Sequence, residues 1–366
     1  MTQGVVFYVS LAAAILGSLS SLVAPMAPAC CPLAPSGKPV VNADQTVIIV
    51  WDPATKTEHF IRKASFMSDA EEFGFLIPSP SQPELNESGN EAFPFLMKLT
   101  EPDRQKAAHP SGGLGCASGL NQSAGYVQQG AALPAVQVLL EKEVAGFKAV
   151  VLESSSTNEL VNWLKSNGYV FSPEVEAWAK PYVEAGWKIT ALKVAKNADA
   201  RQRKTVAAAA LRMSFKTDRP LFPYREPDSK NAAGALGANQ RLLRIYFLAD
   251  ARYQGELTPQ VPWTGRVVWA NKLTFQARNK TFALLNLPPN SGPADLWLTE
   301  FEDHWPYQIA PADVYFSRDK NQKTVKRPPI VEYVESSWPT DVTPVAIVAV
   351  LILPPLMRKL RSNRKS

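Results

Sequence analysis

Short apolar segments rich in β-branched and aromatic residues dominate the first 150 residues of this chain. Gln45–Trp51 and Thr57–Arg62 flank a turn that contains a proline, so they predict a β-hairpin. Phe73–Ile77 predicts a further strand, which ends at a proline-rich turn. Val136–Ala145 and Phe147–Leu152 predict a second pair of strands.

The pattern then changes to helical spacing. Ser156 and Glu159 form a capping box, and three apolar residues follow on one helical face: Leu160, Val161 and Leu164. A second helix is predicted from Pro173, because proline is favoured at the first helical position, to Gly186. Together the two segments predict a helical insertion between strands.

The remaining apolar segments are short and are separated by Pro and Gly, which predicts strands. They are Trp187–Val194, Ala207–Lys216, Leu242–Leu248, Val267–Ala270, Thr281–Leu287 and Asp295–Phe301. The predicted fold class is therefore α+β: a mainly antiparallel sheet with a central two-helix insertion, plus a C-terminal transmembrane helix.

Both ends of the chain are apolar. Residues 1–29 predict a cleaved signal peptide or, alternatively, an N-terminal membrane segment, because Val5–Leu16 is uncharged and small residues precede Cys30. Lipidation of Cys30 remains open. Residues 342–357 are uncharged and the basic residues 358–366 follow, which predicts a transmembrane helix with a cytoplasmic tail. We therefore expect a single-pass protein of the cell membrane, with the bulk of the chain extracytoplasmic and the C-terminus cytoplasmic.

The region between these ends is long enough for one large domain or two. Residues 30–327 are predicted to form an extracytoplasmic α+β region, with a boundary near 195–206 if there are two domains. Residues 328–341 are predicted to be a juxtamembrane spacer.

The charge of this region argues against a nucleic-acid partner. Five of the 39 Lys and Arg residues lie in the tail after Met357, and residues 1–29 contain no charged side chain. The region between them therefore carries 34 basic against 33 acidic residues. A nearly neutral region has no overall electrostatic footprint for a polyanion.

The three cysteines are Cys30, Cys31 and Cys116, so one thiol is left over if a disulfide forms. Cys31–Cys116 or Cys30–Cys116 would close a loop of about 85 residues and stabilise the fold by roughly 4 kcal/mol.

No catalytic motif is present in the sequence. The histidines His59, His109 and His304 share no motif, and the sequence contains no HExxH, GxSxG, Walker A or GxGxxG pattern. Glu302-Asp303-His304 contains metal-ligand types, but adjacent strand residues point to alternate faces. We therefore predict no catalytic residue, no metal site and no cofactor. Residues 222–227 fit either a recognition loop or a packed crossover between elements.

Several segments, taken in order, resemble a known family. After Ala29-Cys30-Cys31 come TVIIVWD, TEHFIR, FGFLIPSPSQP, ELVNWLKSNGY, PYVEAGWKITALKV and LFPYREP. This series resembles the bacterial domain-of-unknown-function family 2330, over roughly Ala29 to Pro227. The resemblance implies an exported bacterial protein of uncharacterised function and supplies no catalytic residue.

Two functional hypotheses remain. The favoured one is a membrane-tethered, non-catalytic module that binds a protein or envelope polymer or holds an assembly in place. The alternative is an envelope hydrolase or thiol enzyme that uses Cys116 and a histidine.

Overall fold

The computed structural model describes residues 31–33, 41–42, 45–67, 74–108, 136–169, 173–194, 205–227, 241–258, 261–305 and 312–334. Strands dominate this part of the chain, which also contains four helices. The helices are α1 (Ala92–Leu99), α2 (Thr157–Ser166), α3 (Glu174–Glu184) and α4 (Phe275–Leu284). The strands are β1 (Cys31–Leu33), β2 (Val41–Asn42), β3 (Gln45–Asp52), β4 (Thr57–Met67), β5 (Gly74–Ser79), β6 (Glu84–Ser88), β7 (Arg104–Ala108), β8 (Gln137–Val144), β9 (Phe147–Glu153), β10 (Lys188–Val194), β11 (Thr205–Lys216), β12 (Leu221–Phe222), β13 (Arg241–Ala249), β14 (Tyr253–Thr258), β15 (Val261–Pro262), β16 (Arg266–Lys272), β17 (Trp297–Trp305), β18 (Val314–Arg318) and β19 (Ile330–Val334).

The chain divides into two compact units. The smaller unit comprises Pro102–Val127 and Arg327–Ser366. Its described part is a two-stranded parallel sheet, in which Arg104 of β7 lies opposite Ile330 of β19. The larger unit comprises Met1–Glu101 and Gln128–Lys326.

The described part of the larger unit contains three sheets. The first has the strand order β1-β5-β10-β9-β8, and the second, with eight strands, has the order β16-β17-β13-β3-β4-β11-β6, with β2 beside β4. A smaller sheet has the order β12-β18-β14-β15. The strand pairs described in these sheets are antiparallel, except that β13 runs parallel to β3.

The cores show how these sheets are layered. One apolar cluster joins the inner faces of the sheets and contains Phe75 and Phe147 of the five-stranded sheet, Ile49 and Phe247 of the eight-stranded sheet, and Phe316 of the smaller sheet. A second cluster packs α2 and α3 on the outer face of the five-stranded sheet. A third packs α1 and α4 on the outer face of the eight-stranded sheet. The larger unit is therefore layered as helices, sheet, sheet and helices.

The local predictions for the first hairpin and for α2 are confirmed. In the hairpin, β3 and β4 pair with Ile49 opposite Phe60. Ser156 is the predicted N-cap, since its hydroxyl accepts a hydrogen bond from the Glu159 N–H at 3.2 Å. The Glu159 carboxylate accepts a hydrogen bond from the Ser155 hydroxyl at 3.2 Å. Helices α2 and α3 form the predicted insertion between β9 and β10.

The predicted fold class needs correction, because helices occur outside this insertion. The segment Thr281–Leu287 was predicted to be a strand, but residues Phe275–Leu284 form α4. The Thr274 hydroxyl caps this helix by accepting a hydrogen bond from the Ala277 N–H at 3.2 Å. Short apolar runs do not distinguish a buried helix from a strand, which is why the prediction failed here.

The structure also corrects the prediction of a C-terminal transmembrane helix and a single-pass location in the cell membrane. In the described part of the chain, no helix is long and apolar enough to cross a membrane. The longest one, α3, has 11 residues, whereas a bilayer requires about 20. The apolar runs at 5–16 and 342–357 lie outside the described residues, as do residues 195–204, so the domain boundary near 195–206 stays a prediction.

Candidate functional site

The segment after β12 forms a buried crossover in which a single arginine reaches the surface. Phe222, Tyr224 and Glu226 are buried, whereas the Arg225 side chain is 34% exposed. Pro223 lies within the segment and fixes one backbone torsion of the crossover. The interpretation of residues 222–227 as a packed crossover is therefore confirmed, and their interpretation as a recognition loop stays a prediction.

Asp313 fixes the main chain of this crossover. Its Oδ1 accepts hydrogen bonds from the Tyr182 hydroxyl of α3 at 2.8 Å, the Tyr224 N–H at 3.0 Å and the Arg225 N–H at 3.1 Å. Burial raises the pKa of the Asp313 carboxyl, and these three donors oppose that shift. Trp178 of α3 adds a fourth bond, from its indole N–H to the Arg225 carbonyl at 2.9 Å.

The guanidinium of Arg225 is held much less closely than its main chain. Its Nε lies 4.0 Å from Asp313 Oδ2, which is beyond hydrogen-bond distance. Within the described part of the chain, this Nε has no hydrogen-bond partner. The main chain of Arg225 is thus fixed, whereas its guanidinium pairs only loosely with Asp313.

A shallow cleft surrounds this arginine. Its walls come from β4, β5, α3 and the crossover, and include Phe60, Ile77, Pro78, Trp178, Phe222 and Pro223. The interior has room for about one water molecule. Pockets that enclose small-molecule substrates measure roughly 300–1,000 Å³. The cleft can therefore admit the end of a chemical group rather than a whole substrate.

A second arginine, Arg62 of β4, also lines the cleft. It is only 4% exposed, and burial lowers its pKa to about 10, while the charge of Glu226 opposes that shift. The cleft therefore has two cations, Arg62 and Arg225, and two nearby carboxylates, Glu226 and Asp313. Their formal charges sum to zero.

The residues singled out as metal ligands do not converge. Glu302 pairs with Arg244 at 2.7 Å, and His304 is exposed. Asp303 is buried on the opposite face, where it accepts hydrogen bonds from Tyr224, Trp263 and Thr264. Alternation along β17 explains this separation.

The predicted disulfide stays a prediction. Cys31 lies in β1 opposite Leu76, but Cys116 lies outside the described residues, as do Cys30 and His109. The alternative thiol enzyme depends on the same residues and stays a prediction as well.

A contact between His59 and Ser214 was not predicted from the sequence. The Nδ1 of His59 lies 2.8 Å from the Ser214 hydroxyl across the β4–β11 ladder. Burial lowers the pKa of His59 to about 4, and Arg212 contributes to that shift. The two residues lie on strands far apart in the sequence, so no local motif could have indicated the contact.

Comparison with known proteins identifies a family but no close relative. Searches of curated proteins and of solved structures each found no match. The family described as uncharacterized protein conserved in bacteria (DUF2330) matches residues 24–316, which include both the crossover and Asp313. This match covers most of the chain and confirms the resemblance seen in the sequence. The chain therefore belongs to the DUF2330 family of bacterial proteins.

Proposed function

We propose that this chain is a non-catalytic binding module that holds an anionic group of a protein or polymer partner at Arg225. The position of the Arg225 guanidinium carries this proposal. The Arg225 side chain is 34% exposed beside a cleft, its buried Nε has no hydrogen-bond partner in the described part of the chain, and its carboxylate neighbour is 4.0 Å away. An arginine with donors not already committed to a carboxylate is suited to bind an anion through hydrogen bonds.

The fixed main chain of the crossover supports the same function. Asp313 and Trp178 hold the main chain of residue 225 through hydrogen bonds of 2.9–3.1 Å. A partner would therefore meet an arginine whose main chain is already in place, so binding would have to order only its side chain.

Binding of small anions to the isotope-labelled full chain tests this proposal. We expect acetate, phosphate or sulfate to shift the NMR signal of the Arg225 Nε–H saturably, relative to sodium chloride at equal ionic strength. The shift should be absent in Arg225→Gln.

Arg219→Gln is the matched control variant. Arg219 is also partly exposed, but it already bonds Glu256 at 2.6 Å, so its loss should leave anion binding unchanged. If none of the three anions shifts the Arg225 signal, or if both variants bind them equally well, the cleft is not an anion site.

A further inference from the structure

We propose that the group bound in this cleft is a monoanionic carboxylate attached to an apolar group, as in a peptide C-terminus or an acidic side chain flanked by apolar residues. This inference rests on the proposed binding function and narrows it to one ligand chemistry. The charge, the size and the walls of the cleft support it.

The charge of the site favours one negative charge over two. The cleft cations Arg62 and Arg225 are already balanced by Glu226 and Asp313, and both carboxylates are buried. A monoanion brings one further negative charge to the site. A phosphate dianion would bring two into the same surroundings, where like charges repel more strongly than in water.

The shape of the site favours a flat group over a tetrahedral one. The interior admits about one water-sized atom. One carboxylate oxygen can occupy that space while the other remains at the mouth, so that the planar group faces the planar guanidinium. A phosphate would place more oxygens around the same narrow opening.

The walls of the cleft indicate what the carboxylate is attached to. Ile77, Pro78, Trp178 and Pro223 form an apolar wall next to the Arg225 cation, although each of them is itself buried. An aliphatic group can contact the narrow exposed rim of this wall, whereas a highly hydrated polyanion would keep its water shell between itself and the rim. A carboxylate with an adjacent aliphatic residue matches both features.

Asp313 does not occupy the position of the ligand. Its Oδ1 already accepts three hydrogen bonds, and its Oδ2 remains 4.0 Å from Arg225 Nε. Asp313 and Trp178 are therefore positioning residues, which hold the arginine main chain and leave its guanidinium available to the ligand.

Calorimetric titration of the full chain with four probes tests the inference. The probes are acetyl-Pro-Leu as the free acid, the same dipeptide as its C-terminal amide, acetyl-Glu-methylamide and inorganic phosphate. We expect the free acid, acetyl-Glu-methylamide or both to bind at least tenfold more tightly than the amide and than phosphate. Which of the two carboxylates binds identifies the source of the group.

Variants show whether binding occurs at this site. Arg225→Gln should abolish carboxylate binding, and Arg225→Lys should weaken it about tenfold because the planar fork is lost. Trp178→Phe keeps an aromatic ring but removes the hydrogen bond to the Arg225 carbonyl, and it should weaken binding without unfolding the chain. Arg219→Gln should bind as the wild type does.

Other outcomes refute either the inference or the whole site. If phosphate binds as tightly as the carboxylates and still requires Arg225, the binding function survives and the carboxylate assignment fails. If the free acid binds no better than its amide and acetyl-Glu-methylamide does not bind, the assignment also fails. If no probe binds, or if binding persists in Arg225→Gln, both proposals are wrong.

Discussion

The neutral state of His59 should make the stability of the fold depend on pH. Burial, followed by the charge of Arg212, lowers the pKa of His59 from 6.5 to about 4, although the Ser291 main chain, Asp52 and Glu84 oppose the shift. Between these values the unfolded chain binds a proton that the folded chain does not. The contribution of His59 to the free energy of unfolding therefore falls as the pH is lowered from about 6.5 to about 4.

The size of the effect follows from the shift. Each pKa unit corresponds to about 1.4 kcal/mol, so His59 accounts for a loss of about 3 kcal/mol across this range. His59→Asn retains a side-chain amide near the position of Nδ1, which can pair with the Ser214 hydroxyl, and it cannot be protonated in this range. The variant should therefore lack this part of the acid destabilisation.

Two measurements check this reasoning. Urea unfolding of wild type and His59→Asn between pH 4 and 7.5 gives the difference in unfolding free energy, which should change by about 3 kcal/mol. Histidine NMR titration should show the His59 ring neutral down to about pH 4. His304→Asn, which removes an exposed histidine, is the control. A wild-type-minus-variant difference that stays constant with pH would refute the assignment.

Three further substitutions test other parts of the structure. Glu58 is fully buried, and burial raises its pKa well above the usual range against a hydrogen bond from the Leu221 N–H. The folded chain therefore retains a proton that the unfolded chain releases above about pH 4.3. The contribution of Glu58 to the free energy of unfolding falls by about 1.4 kcal/mol per pH unit until the folded pKa is reached, opposite in sign to that of His59. Glu58→Gln should remove this slope in urea unfolding between pH 5 and 8; an unchanged slope would show that Glu58 ionises alike in both states. A Cβ at residue 265 would lie 2.5 Å from the buried Trp263 ring. Gly265→Ala should therefore lower the free energy of unfolding by about 1–3 kcal/mol. A thermal midpoint equal to that of the wild type would contradict this packing. Ser156→Ala removes the cap of α2 and should lower the free energy of unfolding by about 1 kcal/mol. An equal loss of stability in Ser155→Ala would show that the cap is not the cause.

The sequence predicts the local parts of this fold well and the long-range parts poorly. The β3–β4 hairpin and the Ser156 cap depend on residues close together in the chain, so their signals are complete within a few positions. The parallel pairing of β13 with β3 leaves no such signal. Helix α4 was missed because a short apolar run fits a helix or a strand equally well.

Only part of the candidate site could be predicted from the sequence. The proline-rich crossover is evident from its residues, and both of its interpretations could be stated in advance. Its partners Asp313 and Trp178 approach from elements 88 and 47 residues away from Arg225. Packing of the layers brings these partners together, so the weakly paired guanidinium could be recognised only in three dimensions.

The parallel pairing of β3 with β13 has a consequence for biosynthesis. Val47 lies opposite Ile245, so one edge of β3 has no partner until about 200 further residues have been made. At a synthesis rate of about 5–20 residues per second, that edge stays unpaired for about 10–40 seconds. During this interval an apolar strand presents unpaired N–H and C=O groups, to which other chains can add. We therefore expect the nascent chain to depend on a chaperone until β13 is made, and chains truncated before residue 241 to aggregate.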